Sequence, residues 1–300
     1  FIQYVRSFTQ PIVQLANISN QLQQMIASAE RVFEFLDEPG EVENEVKLTM
    51  KEHEIEGNIL FDHVKFGYED SDKIIIKDFT AQVKAGLKIA IVGPTGAGKT
   101  TMVKLLMRFH ELKGGKIYVD GHDITDYTRS DLRREFGMVL QDTWLYNGTI
   151  MENIRYGKLN AKDDEVIEAA KAAQADHFIR TLPGGYNMVI NEEATNISQG
   201  QKQLLTIARA VLADTKVLIL DEATSSVDTR TEILIQKAMD NLMRGRTSFI
   251  IAHRLSTIRN ADLILCMNDG DIVEQGTHDE LLKKDGFYAN LYNSQFEKAS

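Results

Sequence analysis

Eight consecutive residues, Gly93-Pro94-Thr95-Gly96-Ala97-Gly98-Lys99-Thr100, have the types and the order that hold phosphate groups. Glycines let successive backbone amides turn inward around an anion, the Lys99 ammonium adds a point charge on the outer phosphates, and the Thr100 hydroxyl is offered to Mg2+. The setting agrees with this chemistry. An apolar run, Ile89-Ala90-Ile91-Val92, leads into the loop, and a helical pattern through Met102, Val103, Leu105, Leu106 and Met107 leads out of it. A helix that starts there directs its positive end at the same phosphates.

A second chemical signal is Val217-Leu218-Ile219-Leu220-Asp221-Glu222. Four apolar residues make a strand buried on both faces, and two carboxylates stand at its carboxyl end, where open α/β sheets place ligands. Neighbouring residues at a strand end point in different directions, so the two acids need not share a role. Asp221 suits Mg2+, directly or through water, because magnesium takes few carboxylates. Glu222, one step further out, is placed to orient and deprotonate an attacking water.

Positioning these groups requires strands and helices in alternation. Residues 58–66 alternate as a strand, and further strand patterns lie at 88–92, 116–119, 136–140, 217–220, 247–251, 262–267 and 271–274. Helical patterns lie near 100–110, 163–180, 200–213, 230–243 and 278–292. The interleaving predicts an α/β domain with a largely parallel sheet. Residues from about 142 to 213 show no strand between two core strands and read as a mostly helical insertion.

Upstream, Ile12, Leu15, Ile18 or Ser19, Leu22, Met25 or Ile26, Ala29, Val32 or Phe33 and Leu36 recur every three to four residues, predicting one long amphipathic helix ended by Pro39-Gly40. Its narrow seam reads as an arm reaching toward another chain or domain, or as a helix packed on its own domain. Residues 40–56 are acidic and low in apolar content, as a linker is.

Composition sets outer limits. A net charge of −10 argues against a nucleic-acid partner, and the single cysteine, Cys266, excludes an internal disulfide. No Cys/His cluster has zinc spacing, and a reducing compartment fits. No stretch approaches eighteen uninterrupted apolar residues, so nothing spans a bilayer by itself. The chain begins at Phe1, with neither an initiator Met nor a charged-then-apolar leader, and is expected to be a piece of a longer protein.

Together these motifs resemble the nucleotide-binding domain of ATP-binding cassette (ABC) transporters of the exporter type, from the N-terminal helix to about Lys298. The most diagnostic stretch is Asn196-Ile197-Ser198-Gln199-Gly200-Gln201, similar to the family signature Leu-Ser-Gly-Gly-Gln, with Gln199 in place of the first glycine. The resemblance implies a P-loop NTPase core with a mainly parallel sheet, an antiparallel β subdomain and a helical subdomain. It divides the chain into a helix at 1–38 extending the last transmembrane helix, a linker at 39–56 and the nucleotide-binding domain at 57–298.

The same resemblance assigns roles. Gly93 through Thr100, with Thr101, would hold ATP phosphates, and Tyr68 would stack on adenine. Thr100, Gln141 and Asp221 would hold Mg2+. Glu222 would act as base, with Lys99, Gln141 and His253 completing the catalytic set. Ser198, Gly200 and Gln201 would cap the γ-phosphate bound by an opposite subunit, and Asp228, in Ser225-Ser226-Val227-Asp228, would cross the dimer interface. The run from Asp142 to Ile150 would form a groove for a membrane-domain helix, sensed also by Glu192.

The implied function is an ATPase on the cytoplasmic face of a plasma or inner membrane, part of a multi-pass assembly, that drives export as two nucleotide-binding domains close and reopen on MgATP. The alternative is a mechanical clamp of the DNA-repair, chromosome or ribosome type. The N-terminal helix, similar to an exporter's cytoplasmic extension, and the acidic charge both favour the exporter. The implied partners are a transmembrane domain and a second nucleotide-binding domain. The irregular signature favours a heterodimer over a homodimer, pairing this chain's intact base with a partner's regular signature.

Overall fold

The computed structural model describes residues 1–38, 40–41, 55–68, 73–140, 143–191, 195–221, 227–252 and 255–296. Expectations on Pro39, residues 42–54, Gln141, Asp142, Glu192, Glu222, Ser225, Ser226 and His253 lie outside the described residues. The chain divides into two compact units, Phe1–Glu43 and Asn44–Ser300.

The first unit holds α1 (Ile2–Leu36), a single helix of 35 residues. It begins ten residues before the apolar seam does and runs through Pro11, which supplies no amide to the carbonyl one turn earlier. None of its residues is buried, and Ile12, Leu15, Ile18, Leu22 and Met25 all present their side chains to the surface. No described helix is long and apolar enough to cross a membrane.

The second unit opens with β1 (Ile59–Phe66), β2 (Ile76–Val83), β3 (Lys88–Val92), α2 (Lys99–Leu106), β4 (Gly114–Val119), β5 (His122–Asp123), α3 (Arg129–Arg134) and β6 (Phe136–Val139). Next come β7 (Gly148–Thr149), α4 (Ile150–Arg155), α5 (Asp163–Ala172), α6 (Asp176–Thr181), β8 (Val189–Ile190) and α7 (Gln199–Ala213). The remainder is β9 (Val217–Asp221), α8 (Thr229–Met243), β10 (Thr247–Ile251), α9 (Leu255–Arg259), β11 (Leu263–Asn268), β12 (Asp271–Gly276), α10 (His278–Lys283) and α11 (Phe287–Phe296).

A six-stranded sheet ordered β12-β11-β3-β10-β9-β6 forms the centre, parallel except for the edge strand β12. The inner strands β3, β9 and β11 are mostly apolar because both faces are covered, while the edge strand β12 is polar and only partly covered. Alternate residues enter different cores. Ala90, Val92, Leu218, Leu220 and Ile250 pack with α4, α5, α7 and α8, while Ile89, Ile91, Val217, Ile219 and Phe249 pack with α2 and an antiparallel sheet ordered β2-β1-β4-β5.

The expected α/β class, the mainly parallel sheet and the antiparallel layer are all present. Among the described residues from 143 to 213 the regular structure is mostly helical, and the one strand pairing, β7 with β8, is two residues long, too short to leave a period-2 pattern. Strand β2 carries only a short alternation, Phe79, Ala81 and Val83, because a register shift against β1 sets Ile76 out of step with them. The pattern at 163–180 is two helices. Gln174, at φ +57, takes the left-handed position after α5 that glycine usually marks, so the sequence carries no stop signal there.

Candidate functional site

The glycine-rich loop leaves β3 at Val92 and enters α2 at Lys99. Gly96 and Gly98 sit at φ +84 and +100, conformations that turn the chain sharply enough for amides to face one point, and Gly98 caps the helix without a side chain. Thr95 and Thr100 are exposed, Pro94 and Thr101 half-buried, and Ala97 is buried beneath the loop. The Gly270 amide, in the turn joining β11 to β12, donates to the Ala97 carbonyl at 3.2 Å and braces the loop from below.

Lys99 Nζ donates to the carbonyls of Gly93 at 2.8 Å and Pro94 at 3.0 Å. Burial lowers its pKa, and the Asp221 carboxylate opposes that by favouring the charged form. A half-buried ammonium whose partners are neutral carbonyls gains by exchanging one of them for an anionic oxygen, since charge-assisted hydrogen bonds are about twice as strong. The cradle therefore fits phosphate.

The sheet brings Asp221 to the same end. Ile251 of β10 lies opposite Ile91 on one side and Asp221 on the other, so the end of β9 and the start of the loop flank the end of β10 at one level. His253 and Glu222 follow the ends of β10 and β9 in sequence. Among the described residues no group of three or more His, Cys, Asp or Glu could hold a metal ion. A magnesium that travels with nucleotide phosphates needs only one or two protein oxygens, which Thr100 and Asp221 can offer.

Ser198 caps α7. Its hydroxyl accepts from the Gln201 amide at 3.3 Å, while the Gln201 side chain accepts from the Ser198 amide at 2.9 Å, a reciprocal capping box. Asp228 caps α8 by accepting from the Thr231 amide at 3.0 Å, and its hydrogen bonds with Thr231 hold its pKa down. Gly200 joins the two helix starts, because an added Cβ there would lie 2.4 Å from Thr231 Cγ2. The structure thus places Ser198, Gly200, Gln201 and Asp228 in one neighbourhood. Tyr68, 38% exposed, follows β1 and meets the rings of Phe66 and His110.

Three contacts at these residues had not been read from the sequence: Gly270 under Ala97, Thr143 against Gln199, and His110 against Tyr68. Only the first carried a signal, the Asp269-Gly270 turn between two legible strands.

The family model described as "ABC transporter" matches residues 76–225. A "Fatty acid ABC transporter ATP-binding/permease protein" of Mycobacterium bovis is 56% identical over 292 residues, covering 97% of this chain and 46% of that protein. An "Uncharacterized ABC transporter ATP-binding protein" of Bacillus subtilis is 54% identical over 99% of this chain and 49% of its own length. An "ATP-dependent lipid A-core flippase" of Syntrophus aciditrophicus is 44% identical over 96% of this chain and 48% of its own length. The chain therefore spans about half the length of the curated relatives it matches. A solved "bacterial Atm1-family ABC exporter with ATP bound" superposes with a TM-score of 0.80 at 38% identity, covering 98% of this chain and 51% of that one.

Proposed function

Because this chain belongs to the ABC transporter family, we propose that it binds and hydrolyses MgATP at a site shared with a second nucleotide-binding domain and thereby powers export by a membrane assembly. The observation that carries the reading is Lys99 folded onto the loop carbonyls at the head of α2, with Asp221 held across β10 at the same sheet end.

In this reading the loop amides and Lys99 hold the β- and γ-phosphates, and Thr100, Gln141 and Asp221 hold the magnesium. Bound Mg2+ would neutralise charge on the phosphate oxygens. Glu222 orients a water and takes its proton as the water oxygen bonds to the γ-phosphorus and the bond to the leaving ADP oxygen breaks. His253 and Gln141 keep that water in line. Ser198, Gly200 and Gln201 face the nucleotide of the opposite subunit, and Asp228 lies at the interface. Catalysis is positioning and charge stabilisation without a covalent intermediate.

The relatives' names, permease and flippase, support export over a chromosome or ribosome clamp. The finer organisation follows the same reading: residues 1–38 extend a transmembrane helix, 39–56 link, and 57–298 form the nucleotide-binding domain on the cytoplasmic face of the membrane. Gln199 in the signature favours a heterodimer.

The decisive variant is Glu222→Gln, whose amide keeps shape and removes the base. We expect ATP binding to persist and turnover to vanish, with Lys99→Ala weakening both. Hydrolysis near the wild-type rate in Glu222→Gln overturns the assigned base, and unchanged ATP affinity in Lys99→Ala overturns the site.

A further inference from the structure

We propose that His110 is a positioning residue that fixes the plane of Tyr68 for stacking on a nucleobase; the proposal rests on the nucleotide-binding reading of this site. The Tyr68 ring stands nearly perpendicular to two others, Phe66 at 5.0 Å and 80° and His110 at 5.2 Å and 88°. Those two lie 5.3 Å apart and tilted by 36°, so they present similar planes to the tyrosine. A partly exposed tyrosine at the end of a strand has several rotamers open to it, and ordering it on a ligand costs entropy. Two edge-to-face neighbours remove most of that freedom before the ligand arrives.

Both neighbours are themselves held. Phe66 is a buried residue of β1. His110 follows α2 across a turn that the protein stabilises against local preference. Arg108 takes a left-handed φ of +53, which a residue with a Cβ adopts at a cost. Its side chain is buried, donating to Glu111 at 3.0 Å and to the Tyr127 carbonyl at 3.2 Å. The Phe109 amide donates to the Lys104 carbonyl at 2.9 Å. The returning chain is then tied to β1, with the Lys113 amide on the Lys65 carbonyl at 2.9 Å and Lys113 Nζ on the Tyr68 carbonyl at 3.5 Å.

One short helix therefore connects the two ends of the ligand. Its first residue is Lys99, which serves the phosphates, and the turn beyond its last residue supplies the ring that sets Tyr68. A histidine that merely filled space there would affect the fold as a whole. A positioning histidine affects the base and leaves the phosphates alone.

That difference is measurable in the full chain with two probes, MgATP and magnesium tripolyphosphate, which has the phosphates and no base. We expect His110→Ala to weaken MgATP binding about fivefold, the size of an aromatic pair contribution, and to leave tripolyphosphate within about twofold of wild type. His110→Phe, which keeps a flat ring, restores MgATP affinity. In steady state the His110→Ala change raises KM and leaves kcat at saturation within about twofold. Wild-type MgATP affinity in His110→Ala, equal weakening of both probes, or failure of His110→Phe to restore affinity each overturns the proposal. If the wild-type chain binds neither probe, the nucleotide-binding reading itself falls.

Discussion

Gln199 Nε2 donates to Thr143 Oγ1 at 3.1 Å, so the side chain standing where the family signature has glycine is engaged within its own domain, against the segment that follows Gln141 and Asp142. The start of α7 is thereby tied to the segment that precedes β7 in the same chain. A glycine could not make this link.

The first prediction tests the partner. In a heterodimer, this chain's signature faces only the weaker site, so Ser198→Ala in the full assembly should retain more of the turnover than Glu222→Gln does. Loss of the capping hydroxyl also costs about 1 kcal/mol of stability, which Ser198→Asp avoids because aspartate caps equally well. Ser198→Asp should therefore match the wild type in a denaturation midpoint while its carboxylate repels a facing phosphate. Turnover in Ser198→Ala as low as in Glu222→Gln would instead favour two identical chains.

A second prediction concerns Gly200. A methyl group there would lie 2.4 Å from Thr231 Cγ2 and 3.0 Å from Val227 Cγ1, so Gly200→Ala must push the starts of α7 and α8 apart. We expect a loss of about 1–3 kcal/mol, the usual cost of overpacking. Thr231→Ser removes the nearest methyl and should recover part of it. Chemical denaturation of the two single variants and the double variant decides the matter, and additive losses would place the strain elsewhere.

Much of this was legible beforehand for a physical reason. The loop after β3 and the place of Asp221 at the end of β9 depend on local sequence, and the buried parallel strands announce themselves as apolar runs. What stayed hidden depends on contacts distant in sequence. Gln199 meets Thr143 across 56 positions, and His110, which meets Tyr68, follows a left-handed Arg108 where no glycine marks the turn. In strand β2 a register shift sets Ile76 out of step and leaves an alternating run of only three inward residues, Phe79, Ala81 and Val83, which is a weak signal.

The third prediction is that Cys266 is chemically inert in the folded protein. It lies fully buried in β11, opposite Val92 on β3, and burial pushes its thiol up to about 12, with the Glu274 carboxylate adding to the effect. Reaction requires the thiolate, so alkylation at pH 8 should be about a thousandfold slower than in the unfolded chain. Mass spectrometry after timed iodoacetamide exposure reads the rate. Labelling as fast as in denaturant would show that β11 opens readily.

The last prediction is a pH dependence centred on His278. This buried ring begins α10 and lies against Tyr288 and Tyr292 of α11, with Nδ1 2.7 Å from the Tyr288 hydroxyl. Burial pushes the Tyr288 hydroxyl up, so it stays protonated and donates, leaving His278 Nδ1 as the acceptor of a neutral ring. Burial also lowers the pKa of His278, Arg259 lowers it further, and Asp279 opposes both. In the unfolded chain the same ring takes up a proton near its ordinary value of about 6.5. Below that pH the unfolded state binds a proton that the folded state refuses, and stability falls as pH decreases toward the folded-state value. Protonation would also convert Nδ1 to a donor and break its bond with Tyr288. Denaturant midpoints measured between pH 7.5 and 5.5 should therefore decline in the wild type and decline less in His278→Gln, which keeps a polar partner for Tyr288 without a titrating ring. Equal slopes in the two proteins would assign the acid sensitivity to other groups.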